Sequence, residues 1–235
     1  MRHRLLPSLA IAALAAAALA CDGRATGTLV TGATNNVRVR VVNGLTSAPA
    51  VDLIVDGQVS SAGVGFGNAS SYASLGVGSH RLQVRSSTTG TMLVDFTRDL
   101  SSAGAFSLIP AAGLADAGAL FITDGPSAST GQGRIRAVHV AAVRGPLSVY
   151  VTTATADLAS ATPIIPVLPF GVASQYVSLA AGTYRVRVTP VGDPSTVLLD
   201  TGNLVVTDGT ARTLLVTDAL GGGVPTTLSV LSDFN

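Results

Sequence analysis

Apolar residues recur at every second position along much of the chain. Val37, Val39 and Val41 alternate with Arg38 and Arg40, and Leu53 and Val55 with Asp52, Ile54 and Asp56. Leu82 and Val84 alternate with Arg81, Gln83 and Arg85, and Val186 and Val188 with Arg185 and Arg187. Successive side chains of a strand point to opposite faces, so this pattern predicts short strands with one covered face. The arginine pairs 38/40, 81/85, 134/136 and 185/187 are expected on the wet faces of those strands. Turn residues punctuate the runs at Asn43-Gly44, Asp56-Gly57, Gly76-Val77-Gly78, Asp208-Gly209 and Gly221-Gly222-Gly223. Prolines such as Pro49, Pro110, Pro146 and Pro190 fall between strands or at their ends, where a missing N–H does no harm.

The pattern occurs twice. Residues 66–84 align with residues 170–188, and ten of those 19 positions are identical: Phe66/Phe170, Gly67/Gly171, Ala69/Ala173, Ser70/Ser174, Tyr72/Tyr176, Ser74/Ser178, Leu75/Leu179, Gly78/Gly182, Arg81/Arg185 and Val84/Val188. Upstream, Val39-Arg40-Val41-Val42 answers Ile135-Arg136-Ala137-Val138; downstream, Leu93-Val94-Asp95 answers Leu198-Leu199-Asp200. An internal repeat of short alternating strands predicts an all-β protein of two tandem antiparallel β-sandwiches, immunoglobulin- or transthyretin-like. The expected boundaries are a signal segment 1–20, a tether 21–34, sandwich 35–125, a Gly/Ser/Pro linker 126–133 and sandwich 134–235. Phe66/Tyr72 and Phe170/Tyr176 are the expected repeated core anchors.

The amino terminus reads as an address. Arg2, His3 and Arg4 precede an apolar run from Leu5 to Leu19, and Ala18-Leu19-Ala20 ends it with small residues. At about 1.5 Å per residue that run spans roughly 22 Å, short of the ~30 Å hydrocarbon core, so an export peptide is the better reading than a membrane-spanning helix. Cys21, the single cysteine, follows at the expected cut. The segment resembles a bacterial lipoprotein signal, which implies a lipid on Cys21 and a membrane partner through it, in the outer membrane or on the periplasmic face of the inner one. The order Ala18-Leu19 departs from the usual lipoprotein signal, and Ala18-x-Ala20 also suits ordinary cleavage and secretion. Residues 22–34, treated as a flexible coil, reach roughly 20 Å.

Composition narrows the classes. All 14 basic residues are Arg and all 13 acidic ones Asp, so two strong helix formers, Lys and Glu, are missing. Without Arg2 and Arg4, twelve Arg face 13 Asp, and no basic stripe marks a nucleic-acid partner. One cysteine excludes an internal disulfide, which leaves apolar packing to hold the fold.

Residues 40–57 (RVVNGLTSAPAVDLIVDG), with Phe66-Gly67, Tyr72 and Gly78-x-x-Arg81, resemble the domain-of-unknown-function 4397 family. That pattern runs, in outline, Arg-Val-x-His-Ala-Ser-Pro, then Pro-x-Val-Asp-Val-Tyr-Val-Asp-Gly, then Phe-Gly, Tyr and Gly-Thr-Tyr-x-Val-x-Val. The first copy keeps Pro49, Asp52 and Asp56-Gly57 but has Asn43 where the family favours His. The second keeps His139 and Gly182-Thr183-Tyr184, but carries Ser148 and Thr152 in place of the two Asp. The polar positions are split between copies, so no shared site carries over; the resemblance implies a secreted or surface β-sandwich module, often in tandem.

Candidate chemistry is sparse. Beyond the signal segment the only histidines are His80 and His139, expected at the surface or capping turns, and no Gly-x-Ser-x-Gly elbow occurs. Asp52 and Asp56 lie on one strand face about 13 Å apart, too far to share a cation, so no metal site is expected beyond adventitious loop calcium. Gly63-Val64-Gly65-Phe66-Gly67 lacks the lysine and helix of a phosphate loop and reads as a structural bend. No catalytic residue and no cofactor are assigned. The expected function is a non-catalytic envelope module, structural, adhesive or ligand-presenting. The alternative, a carbohydrate-binding or enzyme-accessory domain, requires an exposed aromatic platform, for which alternation offers Tyr150.

Overall fold

The computed structural model describes residues 36–114, 118–125 and 128–233. The signal segment, Cys21 and the tether lie outside them, as do Pro126 and Ser127 of the linker. The first copy forms β1 (Val37–Val41), β2 (Ala50–Val55), β3 (Gln58–Gly65), β4 (Ala73–Leu75), β5 (Gly78–Ser86), β6 (Met92–Leu100), β7 (Gly104–Pro110) and β8 (Ala119–Asp124). The second forms β9 (Gln132–Val140), β10 (Leu147–Thr152), β11 (Ile165–Leu168), β12 (Val172–Ala173), β13 (Val177–Ala180), β14 (Gly182–Pro190), β15 (Leu199–Val206), β16 (Ala211–Thr217) and β17 (Thr227–Ser232). No α-helix occurs among the described residues, and so none long and apolar enough to cross a membrane.

Each copy builds two sheets from its own strands. The first has the orders β4-β1-β7-β8 and β3-β2-β5-β6. The second has β12-β9-β16-β17, with β13 also on β9, and β11-β10-β14-β15. Pairing is antiparallel except for β1 with β7 and β9 with β16, which run parallel. Two parallel strands need a long crossover between them, and the companion sheet of each sandwich supplies it. For that reason Asn43-Gly44 is not a hairpin: it carries the chain from one sheet to the other. Asp56-Gly57 is one, a two-residue loop with φ of 50° and 80°, the left-handed pair that matches strand twist.

The alternation sorts side chains as expected within each sandwich. Val37, Val39, Val41 and Leu108 meet Leu53, Val55, Leu82 and Val84 in the first core. Ile135, Ala137, Leu214 and Val216 meet Leu147, Val149, Val186 and Val188 in the second. Phe106 stacks on Phe121 at 5.2 Å, and Phe96 meets Phe121 edge-on at 6.2 Å, at the margin of the first core. The expected aromatic anchors are elsewhere: Phe66, Tyr72, Phe170 and Tyr176 are only half-buried and belong to neither core.

A third apolar cluster joins Val42, Ile109 and Ala111 of the first copy to Val138, Val140, Leu215 and Leu231 of the second. It lies on the outer faces of sheets β4-β1-β7-β8 and β12-β9-β16-β17, so these two sheets pack against each other and the four sheets form four layers. Ala33–Asn235 accordingly make one compact unit.

Candidate functional site

The most densely bonded polar cluster sits in that middle layer. Val39 and Val41 of β1 face the first core, which turns Arg40 to the opposite side, against the second copy. Its Nε donates to Ser107 Oγ (2.8 Å), its Nη1 to the Ser232 carbonyl (2.6 Å), and its Nη2 pairs with the Asp233 carboxylate. Arg136, its counterpart in β9, repeats the set. Nε donates to Thr213 Oγ1 (2.9 Å), Nη1 to the Thr123 carbonyl (2.8 Å), and Nη2 pairs with Asp124. The pairs are crossed, each arginine reaching the aspartate of the other copy. Each aspartate is held from its own side. Ser107 and Tyr72 donate to Asp124 at 2.8 and 2.5 Å, and Thr213 and Tyr176 to Asp233 at 2.7 and 2.6 Å. The guanidinium carbons stand 4.8 Å from the Tyr72 ring centre and 4.6 Å from that of Tyr176, a cation–π geometry.

Arg40 and Arg136 are each 2 % exposed, which corrects the expectation of a wet face. Alternation tells which of two faces a residue takes, not whether a second sheet covers that face. Two arginines and two aspartates leave the joint neutral, and hydroxyls take up the carboxylates' remaining lone pairs, the condition under which buried ions are tolerated. Burial drives both tyrosine hydroxyls well above the ordinary phenol range, so they remain donors. Outside the joint the arginine expectation holds better. Arg81 grips Asp95, and Arg185 grips Asp200, on exposed sheet faces; Arg187, 8 % exposed, is a further exception.

His139 and Asn43 occupy matched positions and perform one task. Both are fully buried. Asn43 Nδ2 donates to the carbonyls of Ala48 (3.0 Å) and Val64 (3.1 Å), while its Oδ1 accepts from the Leu45 N–H. His139 Nε2 bonds the Gly145 carbonyl (3.1 Å), and Nδ1 accepts from the Ala141 N–H (3.3 Å). Each is a side chain pinning its own sheet-to-sheet turn. The Phe-Gly bend closes on the same residue in both copies: Gly67 N donates to the Asn43 carbonyl and Gly171 N to that of His139, both at 2.8 Å. With φ of 73° and 75° those glycines take a conformation that a side chain disfavours, the structural bend the sequence predicts.

Burial pushes the His139 imidazole below its usual range. The folded chain then holds fewer protons at this residue than the unfolded one once pH drops below about 6.5, so stability present above that pH is lost as pH falls through the depressed value. His139→Asn, which copies the first sandwich, should lose part of its acid sensitivity. Urea midpoints at pH 7.5 and 5 check this; an unchanged difference between the two pH values would contradict it. His80 shifts the other way, because a hydrogen bond to Asp56 (2.7 Å) stabilises its charged form.

The other sequence candidates stay apart. Asp52 accepts from Ser87, the Gly63 N–H and Arg85; burial raises its pKa, but these bonds outweigh that and hold it below the usual carboxylate range. Asp56 serves His80 and the Arg81 N–H instead. Among the described residues no three of His, Cys, Asp and Glu gather where a metal could bind. Tyr150 is 6 % exposed, which corrects its reading as an outward platform: its cross-strand neighbour Arg187 is buried as well and donates to the Ala156 carbonyl (2.7 Å), so the segment after β10 covers that face. A shallow cleft of about 530 Å³, lined by Ser60, Ser61, Asn68 and Ser71 among others, has no aromatic wall. Sequence reasoning missed Asp124 and Asp233, which lie outside the aligned stretches. The signal available was an arginine kept in both copies inside otherwise apolar strands.

Fold and joint together define a duplicated β-sandwich protein whose copies are cross-linked by their own charges. Residues 37–150 match the family described as Domain of unknown function (DUF4397). No curated protein matches it. Among solved structures it is similar to CBMbc (family CBM26) from Eubacterium rectale Amy13K, crystallised with maltoheptaose. The identity there is 12 %, with 82 % of this chain and 95 % of that one covered and a TM-score of 0.27. A candidate adhesin from Bacteroides ovatus is 10 % identical over 85 % and 96 % of the two chains, with a TM-score of 0.26. A candidate cell adhesion protein from Bacteroides ovatus ATCC 8483 is 9 % identical over 86 % and 97 %, also at 0.26. Likenesses this slight transfer no ligand and no role.

Proposed function

We propose that the chain is a non-catalytic module of the bacterial cell envelope, exported, anchored by a lipid on Cys21, and presenting its two sandwiches as one structural, adhesive or ligand-presenting body. The observation that supports this is the direction in which the polar residues are spent. The side chains that recur in both copies (Arg40/Arg136, Tyr72/Tyr176) bind the copies together, and both histidines are committed to their own turns. General acid–base work needs a group free to reach a substrate, and these groups are engaged. A glycan-binding reading loses its motivating residue, since Tyr150 is buried.

The anchor is tested by metabolic labelling with a palmitate analogue in a bacterial host. Label is expected in the membrane fraction and should be lost in Cys21→Ala, with the protein then released to the soluble fraction. Equal labelling of both forms would remove Cys21 as the attachment point.

A further inference from the structure

The middle layer has a property that neither sandwich shows alone: its contacts are reciprocal. Arg40 reaches Asp233 and the Ser232 carbonyl, and Arg136 reaches Asp124 and the Thr123 carbonyl. Exchanging the two copies maps one set onto the other. This is the self-complementary logic of a two-fold dimer interface, here built inside one chain. None of these bonds requires its two partners to share a chain. The covalent link between the copies is the short stretch from Gly125 to Gly131, between the end of β8 and the start of β9.

The joint also discriminates between copies. Gly44 and Val140 occupy matched positions, and they meet: a Cβ on Gly44 would lie 3.3 Å from Val140 Cγ2 and 2.9 Å from the Pro110 carbonyl oxygen. Two first copies would set glycine against glycine and leave a gap, while two second copies would set valine against valine where even one added Cβ is tight. A first copy against a second is the combination that fills the space.

We propose that this face is an interaction surface for a second copy of this protein, the two chains pairing reciprocally with the first sandwich of each on the second sandwich of the other. Such a dimer closes two joints and leaves neither face open. The covalent link favours the closed monomer through effective concentration, on the order of millimolar for a short connection, so crowding of the chains shifts the balance.

The test uses a contact across the joint. A Cβ on Gly67 would stand 3.9 Å from Ser229 Cβ, within the roughly 3.5–4.5 Å spacing of a disulfide. In full chains carrying Cys21→Ala, Gly67→Cys is placed in one preparation and Ser229→Cys in another; neither can cross-link within itself through this contact. The two are mixed in denaturant, refolded together over a range of concentrations, and oxidised. The mixed disulfide dimer is expected to exceed both like-with-like dimers and to reach about a quarter of the chains near 1 mM, where the linker's advantage is matched, about half of the chains are dimeric and random pairing makes half of the dimers mixed. A chain with both substitutions, refolded dilute, should close its own disulfide as a monomer. If it closes and the mixture gives no excess of mixed dimer at any concentration, the surface works only within a chain and the proposal fails. If the double variant does not close, strain from a side chain at Gly67, whose φ is 73°, is the cause to separate, and sedimentation of the Cys21→Ala chain with Gly67 and Ser229 intact, refolded over the same concentrations, decides: a dimer fraction rising to about half near 1 mM upholds the proposal, and monomer throughout overturns it.

Discussion

Asp124→Ala should destabilise the protein by about 3–5 kcal/mol, the range for removing one partner of a buried ion pair. The size follows from what remains behind. Arg136 loses its carboxylate, Arg40 loses a second one 3.7 Å from its Nε, and the hydroxyls of Ser107 and Tyr72 lose their acceptor. Arg40, Arg136 and Ser107 are buried under the opposing sheet and cannot turn to water. Asp200→Ala is the control. Asp200 also holds an arginine, through Arg185 Nε and Nη2, but that pair lies open, with side-chain exposures of 29 % for Asp200 and 37 % for Arg185. Exposed pairs contribute about 0–1 kcal/mol. Urea unfolding of the two variants, with slopes compared as well as midpoints, separates the cases; equal losses would mean that the joint is solvated.

How much of this was readable beforehand depended on whether neighbours along the chain or distant partners decide a residue's fate. The strand carrying Val37, Val39 and Val41, and the turn at Asp56-Gly57, were legible, because period two and left-handed turn geometry are local. So was the bend at Phe66-Gly67, through its recurrence at Phe170-Gly171. The covering of Arg40 was not. Arg40 and Arg81 look alike in sequence, each alternating with aliphatic residues on the C-terminal side (Val41; Leu82 and Val84), yet one lies 2 % exposed and the other has a side chain 58 % exposed. What separates them is Asp233, 193 residues away from Arg40. Tyr150 fails for the same reason: alternation offers it as an outward residue, but the segment after β10, whose Ala156 carbonyl accepts from the neighbouring Arg187, covers that face. The parallel pairing of β1 with β7 was likewise hidden, since alternation is the same for either direction. His139 was placed at a turn from its match with Asn43, and its burial came only with the fold.

The central claim is that the two copies unfold as one body because the crossed joint ties them. Leu53 is fully buried in the first core, far in sequence from the second, and Leu53→Ala should cost about 2–5 kcal/mol through lost burial and the cavity left behind. In a single cooperative unit every slow-exchanging amide reports the same global opening. Native-state hydrogen exchange of the Leu53→Ala variant should therefore show the protection of the slowest amides in β9 and β16 falling by the same amount as in β1 and β7. Full wild-type protection retained in β9 and β16, with the loss confined to the first copy, would contradict the claim.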